Sequence, residues 1–342
     1  MTIDVNHVKR IVVRMPNWLG DAVMATPVLQ DLKTHFPNAL ITALASDPIA
    51  NLISQNPAIS EFLTFSRNSK VKRQEAKRMI AELSKREIDL GLLLTGSFSS
   101  AWQFYRAGLP IRLGFKNHFR SPLLTHALPL PENWETEHLV TSYKLLLGPL
   151  HIPVSNTKPN LHVSDQEKKR ALEILKEYNI SKDELLIGIN PGAAYGSAKC
   201  WLPERFKKVT AELLKDPKKR IIYFGDASTK TLVDDICKDF AESVTNLAAK
   251  TNLRELIALI AKCNCFLTND SGPMHVASAV NTPLVAIFGS TNEVKTGPYG
   301  GGQVIHKHVP CSPCYLRKCP IDFRCMTSIT VNEVLDAIHK CV

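Results

Sequence analysis

The fold is decided by residues 10–36, which read RIVVRMPNWLGDAVMATPVLQDLKTHF. The segment at 10–15 is a short apolar run typical of a buried strand. The segment at 21–36 repeats apolar side chains at the spacing of one helix face. A strand, a tight loop and a helix in this order are the first part of a βαβ unit. Such units build a parallel sheet that is covered by helices on both faces.

The same alternation runs through the rest of the 342 residues. Further short apolar runs, each predicted as a strand, occur at 39–46, 61–66, 89–96, 185–192, 220–225, 265–270 and 283–289. A polar segment at 149–160 contains several prolines and separates the two groups of strands, as inter-domain linkers do. We therefore predict an α/β protein with two Rossmann-like domains whose parallel sheets face a central cleft. The predicted parts are an N-terminal domain over 1–155, a C-terminal domain over 156–330 and a final helix over 331–342.

Composition and charge narrow the functional classes. Hydrophobic residues make up 44% of the chain, which excludes a disordered or collagen-like protein. The net charge is +10, and residues 67–120 hold twelve Lys and Arg against four Asp and Glu. This excess favours a polyanionic partner, although solvated helix faces would explain it as well. Because no run of about 18 apolar residues and no signal peptide occurs, we expect a cytoplasmic protein without a transmembrane helix.

The loop after the first strand ends in Gly20 and Asp21. Gly20 permits close approach of the backbone to a ligand. Asp21 stands where the N-cap of the following helix is expected, and capping is one interpretation. The other interpretation is a general base at the mouth of the cleft, which would take a proton from an acceptor hydroxyl.

The loop after the first strand of the second domain reads NPGAAYGSAKCW, from Asn190 to Trp201. Its small residues and Lys199 suit a phosphate cradle with a point charge, and a solvated lysine is the alternative. The loop has neither the Walker A pattern nor G-x-G-x-x-G.

A third loop reads TNDSGPMH and joins a predicted strand to a predicted helix. The backbone N–H groups of Ser271 and Gly272, together with the helix dipole, suit a diphosphate. Asp270 either caps this helix or binds a sugar hydroxyl, and His275 either faces the loop or is a packed core histidine. A base on one domain and a diphosphate site on the other are typical of transfer from a nucleotide sugar. No Asp-x-Asp pair occurs, which disfavours a metal-bridged diphosphate, so Lys199 and the helix N-terminus would stabilise the leaving group.

Four of the nine cysteines form a C-x2-C-x4-C-x5-C pattern at Cys311, Cys314, Cys319 and Cys325. Four thiolates suit tetrahedral zinc. The spacing is tighter than in zinc ribbons, however, and this favours reduced cysteines that pack a loop. We therefore predict no metal at these residues and keep zinc as the alternative.

Four segments resemble one known family. They are MPNWLGDAVMATPVL at 15–29, NPGAAYGSAKCW at 190–201, TNDSGPMHVASA at 268–279 and CSPCYLRKCPIDFRCM at 311–326. The family is that of the ADP-heptose:lipopolysaccharide heptosyltransferases, glycosyltransferase family 9. The form WLGDAVMATP together with PGAxxGxAKxW is most similar to its heptosyltransferase II branch.

The resemblance implies a GT-B glycosyltransferase that inverts the anomeric centre and requires no metal or other cofactor. Its donor would be ADP-L-glycero-β-D-manno-heptose, and its acceptor the first heptose of heptosyl-Kdo-lipid A, the inner core of lipopolysaccharide. The enzyme would work peripherally at the cytoplasmic face of the inner membrane.

The resemblance also implies roles for residues. Asp21 would be the base, and Lys199 would stabilise the departing ADP. The candidate donor-binding residues are Gly20, Asn190, Gly192, Tyr195, Gly196, Asp270, Ser271, Gly272 and His275. Because the acceptor is anionic, we expect Arg112, Lys116 and Arg120 of the basic segment to contact it. One departure concerns the ribose: relatives often carry an acidic or Lys-Asp cluster after the strand RIIYFG, where this chain has GDASTK, and Asp226 is the possible substitute.

Other functions remain open at this stage. The enzyme alternatives are heptosyltransferase I, another ADP-heptose transferase with a different acceptor, and a sugar-nucleotide epimerase of similar fold. The alternative without catalysis is a basic nucleic-acid-binding protein with a four-cysteine metal module. The basic residues lie in the first half of the chain, away from the cysteines, so we expect no nucleic-acid partner.

Overall fold

The computed structural model describes residues 3–5, 7–240 and 243–342. The chain divides into two compact units, Met1–Asn160 and Leu161–Val342. Each unit contains one six-stranded sheet in which every pair of neighbouring strands is parallel. The prediction of two parallel-sheet α/β domains is therefore confirmed. Across the described ranges, no helix is both long enough and apolar enough to span a bilayer.

The N-terminal unit has the strand order β3-β2-β1-β4-β5-β6. Its strands are β1 (Arg10–Arg14), β2 (Leu40–Ser46), β3 (Glu61–Phe65), β4 (Leu90–Leu93), β5 (Ile111–Phe115) and β6 (His126–Leu128). Its helices are α1 (Leu19–Met24), α2 (Thr26–His35), α3 (Asp47–Leu52), α4 (Lys72–Ser84), α5 (Phe98–Arg106) and α6 (Leu139–Leu145). Three short 3₁₀ turns lie at Ser69–Val71, Ser121–Leu123 and Gly148–Leu150.

The C-terminal unit has the order β12-β11-β10-β7-β8-β9. Its strands are β7 (Leu185–Asn190), β8 (Lys219–Tyr223), β9 (Val244–Asn246), β10 (Cys265–Asn269), β11 (Leu284–Ile287) and β12 (Gln303–Ile305). Its first four helices are α7 (Asp165–Glu177), α8 (Pro203–Leu213), α9 (Lys230–Cys237) and α10 (Leu253–Ile260). The others are α11 (Gly272–Ala279), α12 (Glu293–Thr296), α13 (Arg324–Thr327) and α14 (Val331–His339), with a 3₁₀ turn at Ser197–Lys199.

The helical stretch predicted at 21–36 is two helices, α1 and α2, which are separated at Ala25. Pro27 stands in the first turn of α2, where it has no N–H to donate to a carbonyl of the preceding turn. The hydroxyl of Thr26 donates instead to the carbonyl of Val23 at 2.8 Å. The bend therefore follows from the Thr-Pro pair.

The boundary between the units lies at 160/161, five residues after the boundary expected from the sequence. Two buried charges hold the intervening segment to the N-terminal unit. The carboxylate of Asp31 accepts hydrogen bonds from the hydroxyls of Ser155 at 2.8 Å and Thr157 at 2.9 Å. The ammonium of Lys144 donates to the carbonyls of the same two residues at 2.9 and 2.6 Å.

Each unit has its own apolar core. In the C-terminal unit this core includes Ile187 of β7, Phe206 of α8 and Leu267 of β10, and the apolar face of α14 joins it through Val334 and Ile338. The residues of the final helix are thus part of the C-terminal unit.

The order of strands reverses at one point in each sheet. In the N-terminal unit β1 pairs with both β2 and β4, and in the C-terminal unit β7 pairs with both β8 and β10. Ligands of open parallel sheets bind at this reversal, beyond the carboxyl ends of the strands. The loops after β1 and β4, and those after β7 and β10, are therefore the positions to inspect for a site.

Candidate active site

A cavity of about 380 Å³ lies in the N-terminal unit, beside the loops that follow β1, β4 and β5. Aromatic and charged side chains form much of its lining, among them Trp18, Phe115, Trp134, Tyr143, Asp21, Arg67 and Arg120. Asp21 is the only acid among the described lining residues. A cavity with aromatic walls, two guanidinium groups and one carboxylate suits a polar, anionic ligand.

Asp21 lines this cavity from the first turn of α1. The predicted capping role is wrong, because α1 begins at Leu19 and its N-cap residue is Trp18. The negative charge of Asp21 lies instead in the helix turn where the dipole favours an anion. Burial, and secondly the charge of Asp21, raise the pKa of Tyr143 well above its usual value. Tyr143 therefore remains a neutral phenol beside the carboxylate.

Two arginines that the sequence did not single out position the loop before α1. The Arg14 guanidinium donates to the carbonyl of Met15 at 2.5 Å and to the side-chain oxygen of Asn17 at 3.0 Å. Arg67 donates to the backbone carbonyl of Asn17 at 3.2 Å and lies over the ring of Trp18. Burial, and secondly the charge of Arg67, lower the pKa of Arg14 to about 10. The loop that leads to Asp21 is thus held by cations.

Arg120 reaches the cavity as a buried cation, with 1% of the residue exposed. Its Nε donates to the carbonyl of Phe115 at 3.0 Å, and its Nη1 donates to the carbonyl of Thr95. Burial lowers its pKa to about 10. No carboxylate pairs with it in the described part of the chain. A buried cation without a counter-charge favours an anion beside it.

The other two predicted acceptor contacts lie elsewhere. Arg112 is the second residue of β5, at the amino end of that strand, and it does not line the cavity. Its guanidinium donates to the carbonyl of Leu123 at 2.7 Å and to that of Leu109. Lys116 is the first residue after β5 and is exposed, next to the cavity residue Asn117. The structure thus brings Arg120 to the cavity and Lys116 to its edge, but not Arg112.

In the C-terminal unit, the loops after β7 and β10 meet through an ion pair. The Nζ atom of Lys199 lies 2.5 Å from Oδ2 of Asp270, and the two side chains are 15% and 4% exposed. The hydroxyl of Thr291 donates to the same carboxylate oxygen at 2.6 Å. The interpretation of Lys199 as a solvated lysine is therefore wrong. The capping role of Asp270 is also wrong, because the N-cap residue of α11 is Ser271.

Two buried asparagines connect the same loops. The amide of Asn190 donates to the carbonyl of Gly192 at 3.0 Å and reaches the hydroxyl of Ser271 at 3.4 Å. Asn269 was not identified from the sequence, although it lies inside the quoted TNDSG segment. Its amide donates to the carbonyl of Pro191 at 2.7 Å, and its Oδ1 accepts from the backbone N–H of Trp201 at 3.0 Å. These bonds fix the backbone around the candidate donor residues.

Gly192 and Gly196 stand where other chain segments approach closely. A Cβ atom at Gly192 would lie 2.5 Å from the methyl group of Thr229. A Cβ atom at Gly196 would overlap the carbonyl oxygen of Arg317. Between them, the hydroxyl of Tyr195 donates to the carbonyl of Tyr315 at 2.7 Å. The segment around 315–317 thus lies directly against the loop after β7.

The residues predicted to bind the diphosphate lie at the start of α11. Ser271 and Gly272 are half-buried, and His275 is buried within the same helix. The side chain of Ser271 makes no capping hydrogen bond to the helix. Gly20 lies in the first turn of α1 in the other unit. The predicted donor residues other than Gly20 are therefore grouped around the loops after β7 and β10.

Asp226, the proposed substitute for ribose recognition, forms a compact turn. Its Oδ1 accepts from the hydroxyl of Ser228 at 2.6 Å and from the backbone N–H of Thr229 at 3.0 Å. Burial raises the pKa of Asp226, but hydrogen bonds from Ser228 and Thr229 outweigh burial and the net pKa is lowered. Since Thr229 contacts Gly192, this charged turn borders the loop after β7.

The four cysteines of the tail do not form a tight ligand set. Cys311 and Cys314 are exposed, Cys319 is half-buried and Cys325 is buried. Burial, and secondly the charges of the other three cysteines, raise the pKa of Cys325. Among the described residues, the only group of three or more His, Cys, Asp or Glu with ligand atoms within 4.8 Å of one another is elsewhere, at Glu293, His306 and His308.

Comparison with known proteins identifies the family. The sequence profile of glycosyltransferase family 9 (heptosyltransferase) matches residues 76–323. Lipooligosaccharide heptosyltransferase 2 of Campylobacter jejuni subsp. jejuni serotype O:6 is 29% identical over 346 residues, which cover 97% of this chain and 98% of that protein. Lipopolysaccharide heptosyltransferase 2 of Escherichia coli K12 is 29% identical over 300 residues, or 84% of this chain and 85% of that protein.

The fold is also similar to a solved structure. The ADP-heptose lipopolysaccharide heptosyltransferase II of Escherichia coli superposes with a TM-score of 0.82 at 27% identity, over 97% of this chain and 98% of that one. The predicted GT-B fold class is confirmed by this match. Since the family profile also covers more than half of the sequence, the chain belongs to glycosyltransferase family 9, the heptosyltransferases.

Proposed function

We propose that the protein transfers L-glycero-D-manno-heptose from ADP-heptose to the first heptose of the lipopolysaccharide inner core, with inversion and without a metal. The observation that carries this proposal is the position of Asp21. This residue is the only acid among the described lining of a cavity that also holds Arg67, Arg120 and several aromatic rings. An acceptor sugar that carries anionic groups nearby would fit a cavity lined by arginines and aromatic rings. The relatives named heptosyltransferase 2 support the subtype.

In the proposed reaction, Asp21 accepts the proton of the acceptor hydroxyl. The hydroxyl oxygen then attacks C1 of the heptose, forming the new O–C1 bond. The bond from C1 to the phosphate oxygen breaks, and ADP leaves with the electron pair. A general base of this kind contributes about 10²–10⁴-fold to the rate.

Apart from Gly20, the proposed donor residues belong to the C-terminal unit. Lys199 supplies the positive charge for the departing diphosphate, and its ion pair with Asp270 holds the ammonium in the loop after β7. The first turn of α11, at Ser271 and Gly272, adds backbone donors and the helix dipole. Asp270 thus acts through Lys199 as a positioning residue. Because no step uses a metal ion, we expect turnover in the presence of a chelator.

The acceptor residues belong to the N-terminal unit. Arg120 and Arg67 would bind carboxylate or phosphate groups near the acceptor sugar, with Lys116 at the edge. The aromatic rings of Trp18 and Trp134 would cover apolar faces of sugar rings. We place the enzyme peripherally at the cytoplasmic face of the inner membrane, where its anionic lipid acceptor is made. The basic segment would favour that surface.

The deciding experiment is an ADP-release assay with ADP-heptose in the presence of EDTA. The assay is run with heptosyl-Kdo-lipid A, with Kdo-lipid A that lacks heptose, and without any acceptor. Release that depends on heptosyl-Kdo-lipid A is the expected result. Release with Kdo-lipid A alone would reassign the enzyme to the heptosyltransferase I reaction. Conversion of the donor without any acceptor would contradict a transferase.

A further inference from the structure

Three side chains with metal-ligating atoms meet in the C-terminal unit, outside the residues assigned to the reaction. Glu293 is the first residue of α12, and His306 and His308 follow β12. Nδ1 of His306 lies 2.7 Å from Oε2 of Glu293, and Nε2 of His308 lies 3.6 Å from Oε1. The two imidazole rings are 4.3 Å apart between centroids.

The hydrogen bonds of His306 leave one ring nitrogen turned toward the carboxylate. The side chain is 3% exposed. Its Nε2 lies 2.9 Å from the hydroxyl of Ser312, and that hydroxyl donates to the carbonyl of Gly289. Because the one hydroxyl proton of Ser312 points to the carbonyl of Gly289, its oxygen must act as the acceptor toward His306. Nε2 of His306 therefore carries a proton and donates it to Ser312. Nδ1 is buried and makes no hydrogen bond of acceptable geometry, although Glu293 is close.

Two arrangements satisfy Nδ1 of His306 beside this carboxylate. Either a proton makes the ring an imidazolium paired with Glu293, or the neutral ring and the carboxylate share a metal ion. The second imidazole, His308, also turns a ring nitrogen toward Glu293, and the ligand atoms of all three residues lie within 4.8 Å of one another, which favours the metal ion. Ligand atoms that lie about 2.0–2.2 Å from one tetrahedral Zn²⁺ are about 3.3–3.6 Å from one another. The 3.6 Å between His308 and Glu293 matches that spacing, and the 2.7 Å between His306 and Glu293 would have to open to admit an ion. Ser312 fixes the orientation of a ligating ring in the way that outer partners of metal-bound histidines do.

We propose that Glu293, His306 and His308 bind one divalent transition-metal ion of the Zn²⁺ class. Two imidazoles and one carboxylate suit Zn²⁺, Fe²⁺ or Ni²⁺ rather than Mg²⁺ or Ca²⁺, which prefer all-oxygen sites. The side chain of His308 is 71% exposed, so water completes the coordination.

The role of this ion is structural. The chain segment that follows His308 packs against the loop after β7. Backbone N–H groups of Cys314 and Tyr315 donate to the carbonyl of Ser290, and the carbonyl of Arg317 accepts from the N–H of Ala198 at 3.1 Å. A metal at the beginning of the segment would fasten the chain that supports the loop of Lys199. The proposal does not depend on the reaction assigned above, because no reacting group belongs to the site.

The test measures metal binding directly. The full-length protein is stripped of metal, and Zn²⁺ is titrated in competition with a chromophoric chelator. We expect one equivalent bound at this site, and an affinity lowered by more than about 10-fold in His308→Ala and in Glu293→Gln. Circular dichroism checks that both variants are folded, which is expected for the exposed His308.

Two controls separate this site from others. His339→Ala removes an exposed histidine of the same unit and should leave Zn²⁺ affinity unchanged. The triple variant C311S/C314S/C319S should still bind one equivalent. With Co²⁺ as the probe, the spectrum of that site should lack the sulfur-to-cobalt charge-transfer band. Failure of the wild-type protein to bind Zn²⁺ would overturn the proposal, as would binding that is lost in the cysteine variant but kept in His308→Ala.

Discussion

The ammonium of Lys199 lies 2.5 Å from the carboxylate of Asp270, and this pair joins the loops after β7 and β10. Thr291 donates a second hydrogen bond to the same carboxylate from the loop after β11. One buried carboxylate therefore sets the position of the cation that we assign to the departing diphosphate. Removal of either partner would leave a mostly buried charge without its counter-ion.

We expect Asp270→Asn to lower the free energy of unfolding by about 3 kcal/mol, because it leaves Lys199 unpaired in a mostly buried site. Binding of ADP should weaken as well. The more exposed pair of Lys207 and Asp239 is the matched control, and Asp239→Asn should change the free energy of unfolding much less. For each variant, urea unfolding measures the free energy of unfolding and titration with ADP measures the binding affinity. Equal stability of Asp270→Asn and Asp239→Asn would show that the ion pair is not a stabilising element.

We expect Asp21→Asn to lower kcat by more than about 100-fold, because an amide cannot accept the proton of the acceptor hydroxyl. The affinity for ADP-heptose should be unchanged, since Asp21 belongs to the other unit. Asp47→Asn is the control, because Asp47 also stands in the first turn of a helix and is exposed. Single-turnover assays and donor titration separate the two effects. Turnover within about 10-fold of the wild type would assign the base to another residue.

Arg120 and Arg112 form a natural pair for testing acceptor binding. Both guanidinium groups donate to backbone carbonyls, but only Arg120 lines the cavity. Arg120→Met should raise the acceptor KM by about 10-fold or more, the effect of one lost bond to a charged group. Arg112→Met should reduce stability and leave the acceptor KM unchanged. If the two variants had equal acceptor KM values, the cavity would not be the acceptor site.

Lys116 tests the contribution of exposed charge at the edge of the cavity. Lys116→Glu should raise the acceptor KM at low ionic strength, because the acceptor is anionic. The increase should shrink as salt is added, since salt screens exposed charges over a Debye length of about 10 Å at 0.1 M. Arg73→Glu changes the same charge in the exposed part of α4 and serves as control. An acceptor KM that does not respond to salt in Lys116→Glu would exclude this role.

Glu333 connects stability to pH in the last helix. Lys307 donates to its carboxylate and the backbone N–H of Thr330 donates at 2.9 Å, and together with other contacts these lower the pKa to about 2. A depressed folded-state pKa stabilises the protein above the unfolded value of about 4.3. The stabilisation is lost as pH falls from there toward 2. Glu333→Gln should therefore lower the unfolding free energy by about 1 kcal/mol at pH 7 and progressively less below pH 4. Urea unfolding at several pH values checks this, and a difference that is constant with pH would contradict it.

Sequence patterns predicted the parallel sheets and the positions of the loops after β1, β7 and β10, because both depend on which residues follow one another along the chain. Short apolar runs such as β7 are bounded by turn residues that fix where a loop begins. The reversal of strand order then places the loops after β7 and β10 side by side, as expected for open parallel sheets.

Long-range pairing was beyond the reach of the sequence. Nothing local to Lys199 indicates that its partner is Asp270, which lies 71 positions away. The basic segment suggested Arg120 as an acceptor contact, but nothing in it indicated that the side chain is buried and donates to the carbonyls of Phe115 and Thr95. Helix starts were also misjudged: Asp21 and Asp270 are good capping residues, but the helices begin after Trp18 and Ser271. The fold, and not the residue type, decides how deeply a side chain is buried and which groups it contacts.

The two sheets have the same strand order when strands are counted from the start of each unit: third, second, first, fourth, fifth and sixth. This order is that of the Rossmann fold, so each unit offers a ligand position at the same reversal of strand order. Under the proposed roles, one unit recognises an acceptor and the other a nucleotide sugar, each at the same topological position. Selection can then alter one specificity while the other stays intact. Exchange of residues 161–342 between relatives would be a natural way to obtain enzymes that join new sugars to an old acceptor.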